Sequence, residues 1–406
     1  MFQLQILLYK FVMLMTKLFV MVLPEYKPTL FTGSGSSLQL TESISQLGSK
    51  KVLIVTDKIL VELGMVAPIQ KSLEKYNVEV VLFDGVEPDP SFGVVEAGLA
   101  LLKSSQCDSV LAIGGGSSID AAKVMALAAS NNKTPKQLVG MVGLVMGRKP
   151  ALPLYAIPTT AGTGSEVTVA AVISDLDKGV KSLVLDPKIV PLAAAIDPEL
   201  MKGMPPHITA ATGMDALTHA VESYISKFAN PTTDAYALAA VKLIMTNLPK
   251  CYAKGSDIEA RNAVGMASFY AGLAFTKAFV GYVHAIAHQF GARYHTPHGL
   301  ANAIVLPYIL EFSKPEVAAR LATLALACEL GERSESDWVL ADKFIARVKE
   351  MNEDMKIPTT LEALQDSDVE EITKGALFEA HFTYPVPRYM EQEQGEAILR
   401  QMISVK

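Results

Sequence analysis

Short apolar runs alternate with helical stretches through the first half of this chain, and that alternation limits its fold more than any other feature. Lys51 to Thr56, Val78 to Phe83, Val110 to Ile113 and Leu154 to Ile157 have the length and residue type of buried strands. Helical sequence separates them as far as about Asp197, so they pair as a largely parallel sheet rather than as hairpins. Pro88 and Pro90 break the pattern in a loop ahead of a helix at Val94 to Lys103. After Asp197 and Pro198 strand signals vanish and helices take over, with turns at Pro205 and Pro206, Asn230 and Pro231, and Gly299. The expected organisation is an apolar extension over 1–27, an α/β domain over 28–197 and an all-helical domain over 198–406. A chain of 406 residues is long enough to give two domains a core each.

One strand leads into a distinctive turn. Val110 to Ile113 runs into Gly114, Gly115 and Gly116, and then into the alanine-rich helix that begins Ser117, Ser118, Ile119, Asp120. Glycines let backbone approach a ligand closely, and the amide N–H groups at a helix start attract phosphate oxygens. The run matches neither the usual dinucleotide fingerprint nor the P-loop, and alone it reads as a turn. Asp57, at the end of the Lys51 to Thr56 strand, can accept from a ribose hydroxyl and repel a 2′-phosphate, which favours NAD over NADP; it equally suits a helix N-cap. Pro158 to Glu166 follows another strand and is dense in hydroxyls and glycine, fitting phosphate or ribose contacts or a capped loop.

The second half carries metal chemistry. Asp215 and His219 sit four apart where Ile208, Ala211, Met214, Leu217, Val221 and Tyr224 recur at helical spacing, so acid and imidazole project together from another face. Four of the seven histidines, His284, His288, His295 and His298, crowd into fifteen residues. Asp215, His219, His284 and His298 together supply one carboxylate oxygen and three imidazole nitrogens to a divalent cation, with a coordination position left open. That donor set suits Fe(II) or Zn(II) alike. Taken singly, an Asp and a His four apart form a helix-surface hydrogen bond. His284 and His288 have zinc-protease spacing, but Ala285 stands where that chemistry needs a glutamate base.

The run Gly114 to Asp120, the run Pro158 to Glu166, the helix around Gly213 to His219 and the segment Gly281 to Asn302 resemble, in order and spacing, the iron-containing alcohol dehydrogenase family. The resemblance extends from about Pro28 to the C-terminus. It implies a dinucleotide-binding α/β domain, an all-helical domain of dehydroquinate synthase-like architecture and a metal in the cleft between them, held by Asp215, His219, His284 and His298. It also places Asp57, Gly115, Gly116, Ser117, Asp120, Thr159, Thr160, Thr163 and Lys181 at NAD-contacting positions, His288 near the nicotinamide, where its imidazole suits either a proton relay or orientation of the cofactor, and Phe275 and Phe279 in the substrate pocket. The implied reaction is hydride transfer between NAD and a small alcohol or aldehyde, with Fe(II) or alternatively Zn(II), in a homodimer. Lys277, Phe279, Arg293 and the tail from His381 to Arg388 depart from the usual family pattern and bear on specificity.

Composition narrows the alternatives. A net charge of −6, with acids among bases, argues against nucleic-acid binding. Cys107, Cys251 and Cys328 are odd in number and lack zinc-ribbon spacing, which fits a reducing cytoplasm. A dehydroquinate synthase-like lyase would need several basic residues near the ligands, and only Lys277 and Arg293 qualify. A membrane-surface or assembly scaffold would lack ligands. Met1 to Leu23 is apolar but interrupted by Lys10 and Lys17, with no small-residue cleavage pattern before Pro24. It reads as an amphipathic helix that packs on protein in preference to a membrane, followed by a strand at Leu18 to Leu23.

Overall fold

The computed structural model describes residues 2–22, 24–140, 148–177 and 180–404. The chain forms two compact units: Pro24–Met204 with Ser256–Phe269, and Met1–Leu23 with Pro205–Gly255 and Tyr270–Lys406.

The first unit is built on a parallel sheet. Its strands are β1 (Thr29–Thr32), β2 (Lys51–Val55), β3 (Glu79–Phe83), β4 (Ser109–Gly114), β5 (Leu154–Pro158) and β8 (Ala193–Ile196), in the order β1-β8-β5-β4-β2-β3. All the pairings are parallel. An antiparallel pair, β6 (Ala170–Asp175) and β7 (Val180–Leu185), stands apart from it. The two-residue period of the pleat divides the core. Val52, Ile54, Leu111 and Ile113 face Leu40, Ile44, Ile69 and Leu73, whereas Leu53, Val55, Val110 and Ala112 face Val95, Leu99, Val124 and Met125. The first face is covered by α2 (Ser36–Gln46) and α4 (Ala67–Lys75), with α3 (Lys58–Glu62) at the end of β2; the second is covered by α5 (Phe92–Ser104) and α6 (Gly116–Asn131). Burial on both faces explains the unbroken apolar runs, and each large side chain contributes about 1.5–3 kcal/mol.

Residues 256–269 belong to this unit although they lie far along the chain. The guanidinium of Arg261 donates to the Met204 carbonyl at 3.1 Å, and a Cβ on Gly265 would fall 2.7 Å from Ile196. The sequence expectation placed this segment in the helical domain.

The second unit is helical. Its elements are α1 (Phe2–Val22), α7 (Pro206–Ile225), α8 (Pro231–Ala253), the C-terminal end of α9 (Ile258–Ala278), α10 (Tyr282–Tyr294), α11 (His298–Ala327), α12 (Asp337–Asp354), α13 (Val369–Thr383) and α14 (Gln392–Arg400). Gly213 lets α8 approach α7, since a Cβ there would meet Leu248 at 2.3 Å. Gly299 does the same at the start of α11: its Cβ would lie 2.4 Å from the Ala211 carbonyl and 3.3 Å from Asp215. The neighbouring His298 is thereby brought against α7.

Over Leu18 to Val22 the expected strand does not form, because α1 continues through Val22; Leu23, the last residue of that expectation, lies outside the described residues. No proline or glycine interrupts the run before Pro24, so nothing stops the helix earlier. One face of α1 is packed: Met13 is buried, and the Tyr9 ring lies 4.8 Å from His381 and 5.0 Å from Phe382. Leu7, Phe11, Leu14 and Leu18 are exposed on the other. No single helix among the described residues is long and apolar enough to cross a membrane.

Candidate active site

Three helices of the helical unit bring the ligand candidates together. Asp215 and His219 lie one turn apart on α7, His284 and His288 one turn apart on α10, and His298 opens α11. Asp215, His284 and His298 each offer one ligand atom, and these atoms lie within 4.8 Å of one another. The Asp215 carboxylate oxygen is 3.9 Å from His284 Nε2 and 3.6 Å from His298 Nε2. Two donors at about 2.1 Å from a tetrahedral cation stand about 3.4 Å apart, so the spacing is close to that of a first coordination shell. His219 lies beside this triad, with Nδ1 4.0 Å from Asp215 Oδ2 and its ring 4.5 Å from that of His284. Asp215, His219 and His284 are buried.

Asn302, one turn beyond His298, gives an independent indication of what the triad can hold. Its Nδ2 donates to Asp215 Oδ1 at 2.7 Å and lies 3.2 Å from His284 Nε2 and 3.1 Å from His298 Nε2. The amide thus sits among the three candidate ligand atoms, at the place a cation shared by them would occupy. Burial, followed by the neighbouring imidazoles of His219, His298 and His288, holds His284 well below the usual histidine range, and a neutral ring is the form that ligates. The residues present fit a divalent metal.

Sequence reasoning missed Glu222. It follows Asp215 by seven residues and His219 by three, so a helical-face count would have found it. Its Oε2 is hydrogen-bonded to His284 Nδ1 at 2.6 Å and its Oε1 accepts from the Val283 N–H at 2.7 Å. Burial pushes its carboxyl up to about 8 against the pull of the Gly281, Val283 and His284 N–H groups. Glu379 was missed as well. It accepts from His288 Nδ1 at 2.7 Å and from the Tyr384 hydroxyl at 2.6 Å, which leaves His288 Nε2 as the free acceptor; the His288 ring stacks on His298 at 5.4 Å.

The two phenylalanines expected in the substrate pocket diverge. Phe275 stacks on His219 at 4.3 Å between ring centres, whereas Phe279 turns its edge to Phe228 at 5.7 Å.

In the α/β unit, the loops after β2 and β4 part company. β2 continues to β3 on one side, and β4 continues to β5 on the other. Ligands of such sheets bind in the crevice beyond the strand ends at that switch point. Asp57 lies there as the N-cap of α3, accepting from the Leu60 N–H at 3.0 Å. Gly115 is the N-cap of α6 and Gly116 and Ser117 open it. A Cβ on Gly115 would lie 3.3 Å from Thr160, and one on Gly116 would lie 2.8 Å from Thr163, so the Thr159 to Thr163 loop rests directly on the glycine turn. Asp120 is committed within the fold: its oxygens accept from the Ser165 hydroxyl at 2.5 Å and the Val172 N–H at 2.8 Å. Lys181 pairs with Asp89 at 2.7 Å.

Comparison with known proteins decides the family. Residues 28–198 match the family described as iron-containing alcohol dehydrogenase, and residues 209–403 match the C-terminal domain of the same family. The chain belongs to the iron-containing alcohol dehydrogenase family. It is 40% identical over 370 residues to alcohol dehydrogenase 4 of Saccharomyces cerevisiae, covering 90% of this chain and 94% of that protein. It is 39% identical to the NAD-dependent methanol dehydrogenase of Bacillus methanolicus, covering 89% and 94%. Among solved structures, 1,3-propanediol oxidoreductase superposes with a TM-score of 0.89 at 38% identity, over 94% of this chain and 99% of that one. This family member has the same α/β and helical architecture, and it is an oxidoreductase.

Proposed function

We propose that this dehydrogenase moves hydride between NAD and a small primary alcohol or its aldehyde, with Asp215, His219, His284 and His298 holding Fe(II). The convergence of Asp215, His284 and His298 on one point carries the reading. Relatives named for methanol and 1,3-propanediol support the substrate class, and Phe275 stacked on His219 adds bulk beside the ligands. The donor set suits Fe(II) and Zn(II), and the family supports iron.

When bound, the ion supplies a Lewis acid for the substrate oxygen. The chain's own residues do the rest. Asp215 provides the negative charge of the ligand set. Glu379 fixes the Nδ1–H of His288, so Nε2 faces outward to take the alcohol proton or to return it in the reverse direction. The Gly115, Gly116 and Ser117 amides at the start of α6 bind pyrophosphate oxygens, and the Thr159, Thr160 and Thr163 hydroxyls border them. Asp57 reads the adenosine ribose.

The lyase alternative loses support from Arg293. That guanidinium is already paired with Glu371 at 2.8 Å and Asp368 at 2.7 Å, so it is not available for a phosphorylated substrate.

The test is NADH absorbance with a panel of alcohols and aldehydes, using protein reconstituted anaerobically with Fe(II) and separately with Zn(II). Turnover of short primary alcohols, fastest with Fe(II), is the expected result. Failure of every substrate with both metals would overturn the reading.

A further inference from the structure

We infer that Glu222 is a positioning residue: from α7 it caps the uncapped start of α10 and fixes His284 with Nε2 toward Asp215, so that ligands from separate helices meet at one point. This rests on the proposed ligand set.

The need for such a residue is visible in the sequence of α10. Its N-cap is Gly281, which has no side chain to accept from the first N–H groups of the helix. Val280 before it and Tyr282 and Val283 after it are no better equipped. The missing acceptor comes from a different helix. Glu222 Oε1 takes the Val283 N–H at 2.7 Å, and the neighbouring Gly281 and His284 N–H groups favour charge on the same carboxyl group. Its other oxygen is hydrogen-bonded to His284 Nδ1 at 2.6 Å.

One side chain therefore performs two tasks. By holding Nδ1, it keeps the ring turned so that Nε2 faces Asp215 and Asn302, and a cation bound at Nε2 would leave the shared proton on Nδ1 against Glu222. By capping α10 from α7, it sets the height of one helix against the other, and Glu222 is two turns along the same helix from Asp215. Burial works against a charge in this place, and the N–H donors of the helix start offset part of that cost.

Gly281 is part of the device. A Cβ there would stand 2.9 Å from Glu222 Oε1, inside the normal contact distance. The absence of a side chain at the helix start thus creates both the uncapped end and the space for the carboxylate that caps it.

The experiment measures zinc(II) affinity of the full chain by competition with a chromophoric chelator, together with the histidine ring ¹⁵N spectrum. The variants are Glu222→Leu, Glu222→Gln and Gly281→Ala, with His284→Ala as control. Glu222→Leu should weaken zinc about 10–100-fold, the usual effect of losing a partner behind a metal ligand. Glu222→Gln keeps one oxygen for the imidazole and should fall between Leu and wild type. In zinc-loaded wild type the His284 Nδ1–H should show the signature of a strong hydrogen bond to Glu222, and in Glu222→Leu that signature should be lost. If Glu222→Leu does not fold, Glu222→Gln and Gly281→Ala decide the matter, both binding zinc less tightly than wild type. Wild-type zinc affinity and an unchanged His284 signal in the folded Glu222 variants and in Gly281→Ala would overturn the inference. His284→Ala separates it from the reading beneath: if that control also keeps zinc, the ligand set itself is wrong.

Discussion

Asn302 Nδ2 donates to Asp215 Oδ1 at 2.7 Å, from one turn beyond His298 on the same helix. Asp215 is buried, so removal of this donor leaves a carboxylate oxygen without its partner, at a cost of about 1–3 kcal/mol. A bound divalent cation would satisfy that oxygen. Asn302→Ala is therefore expected to lower the melting temperature of chelator-treated protein more than that of metal-loaded protein. Thermal unfolding of both forms checks this, and an equal loss in the two would show that Asn302 does not share its partners with the metal.

Gly116→Ala should impair NAD binding. The added Cβ would meet Thr163 at 2.8 Å, and the Thr159 to Thr163 loop must shift away from the start of α6. Overpacking of this kind costs about 1–3 kcal/mol, which corresponds to roughly a 5- to 140-fold rise in the KM for NAD. Steady-state kinetics at saturating alcohol would show it, and metal content should not change.

Asp57→Gly should weaken discrimination against NADP. The cap to Leu60 accounts for only a few tenths of a kcal/mol on replacement by glycine, so stability is nearly retained. Comparison of kcat/KM for NAD and NADP in both proteins is the check. An unaltered preference would mean that Asp57 only caps α3.

Much of this fold could be read from residue order, and its failures have physical causes. Lys51 to Val55 and Val110 to Ile113 announce themselves because both faces of a parallel strand are buried. Ala193 to Ile196 does not, because three alanines have no strand preference of their own and take the extended form by pairing with β1 and β5. Leu18 to Val22 has the apolar character of a strand and becomes the end of a helix, since nothing between Met1 and Pro24 breaks it. Asp215, His219 and the histidines from 284 to 298 stand out by type and spacing. Glu222 stands on the Asp215 face of its helix and is legible there by spacing, whereas Glu379 becomes distinctive only when its partner His288 from another helix is known.

Glu166 makes stability depend on pH. Burial raises its carboxyl from 4.5 to about 7, with its own backbone N–H and Lys123 pulling the other way. Between those values the folded protein binds more protons than the unfolded chain, so this group's contribution is fully present below 4.5 and is lost as the pH rises through 7. The loss is roughly 3 kcal/mol. Glu166→Gln should remove it, so the melting temperature of the variant relative to wild type should climb between pH 4.5 and 7. A constant difference across that range would contradict the assignment.

The most direct test of the account is metal content beside NAD-linked activity in five purified variants, Asp215→Ala, His219→Ala, His284→Ala, His298→Ala and His288→Ala. The first four should lose most of their metal and nearly all hydride transfer while keeping the fold, because two separately cored units do not depend on the ion for their structure. His288→Ala should keep its metal and lose rate. Full metal in His298→Ala together with loss of metal in His288→Ala would contradict the account and make His284 and His288 the chelating pair.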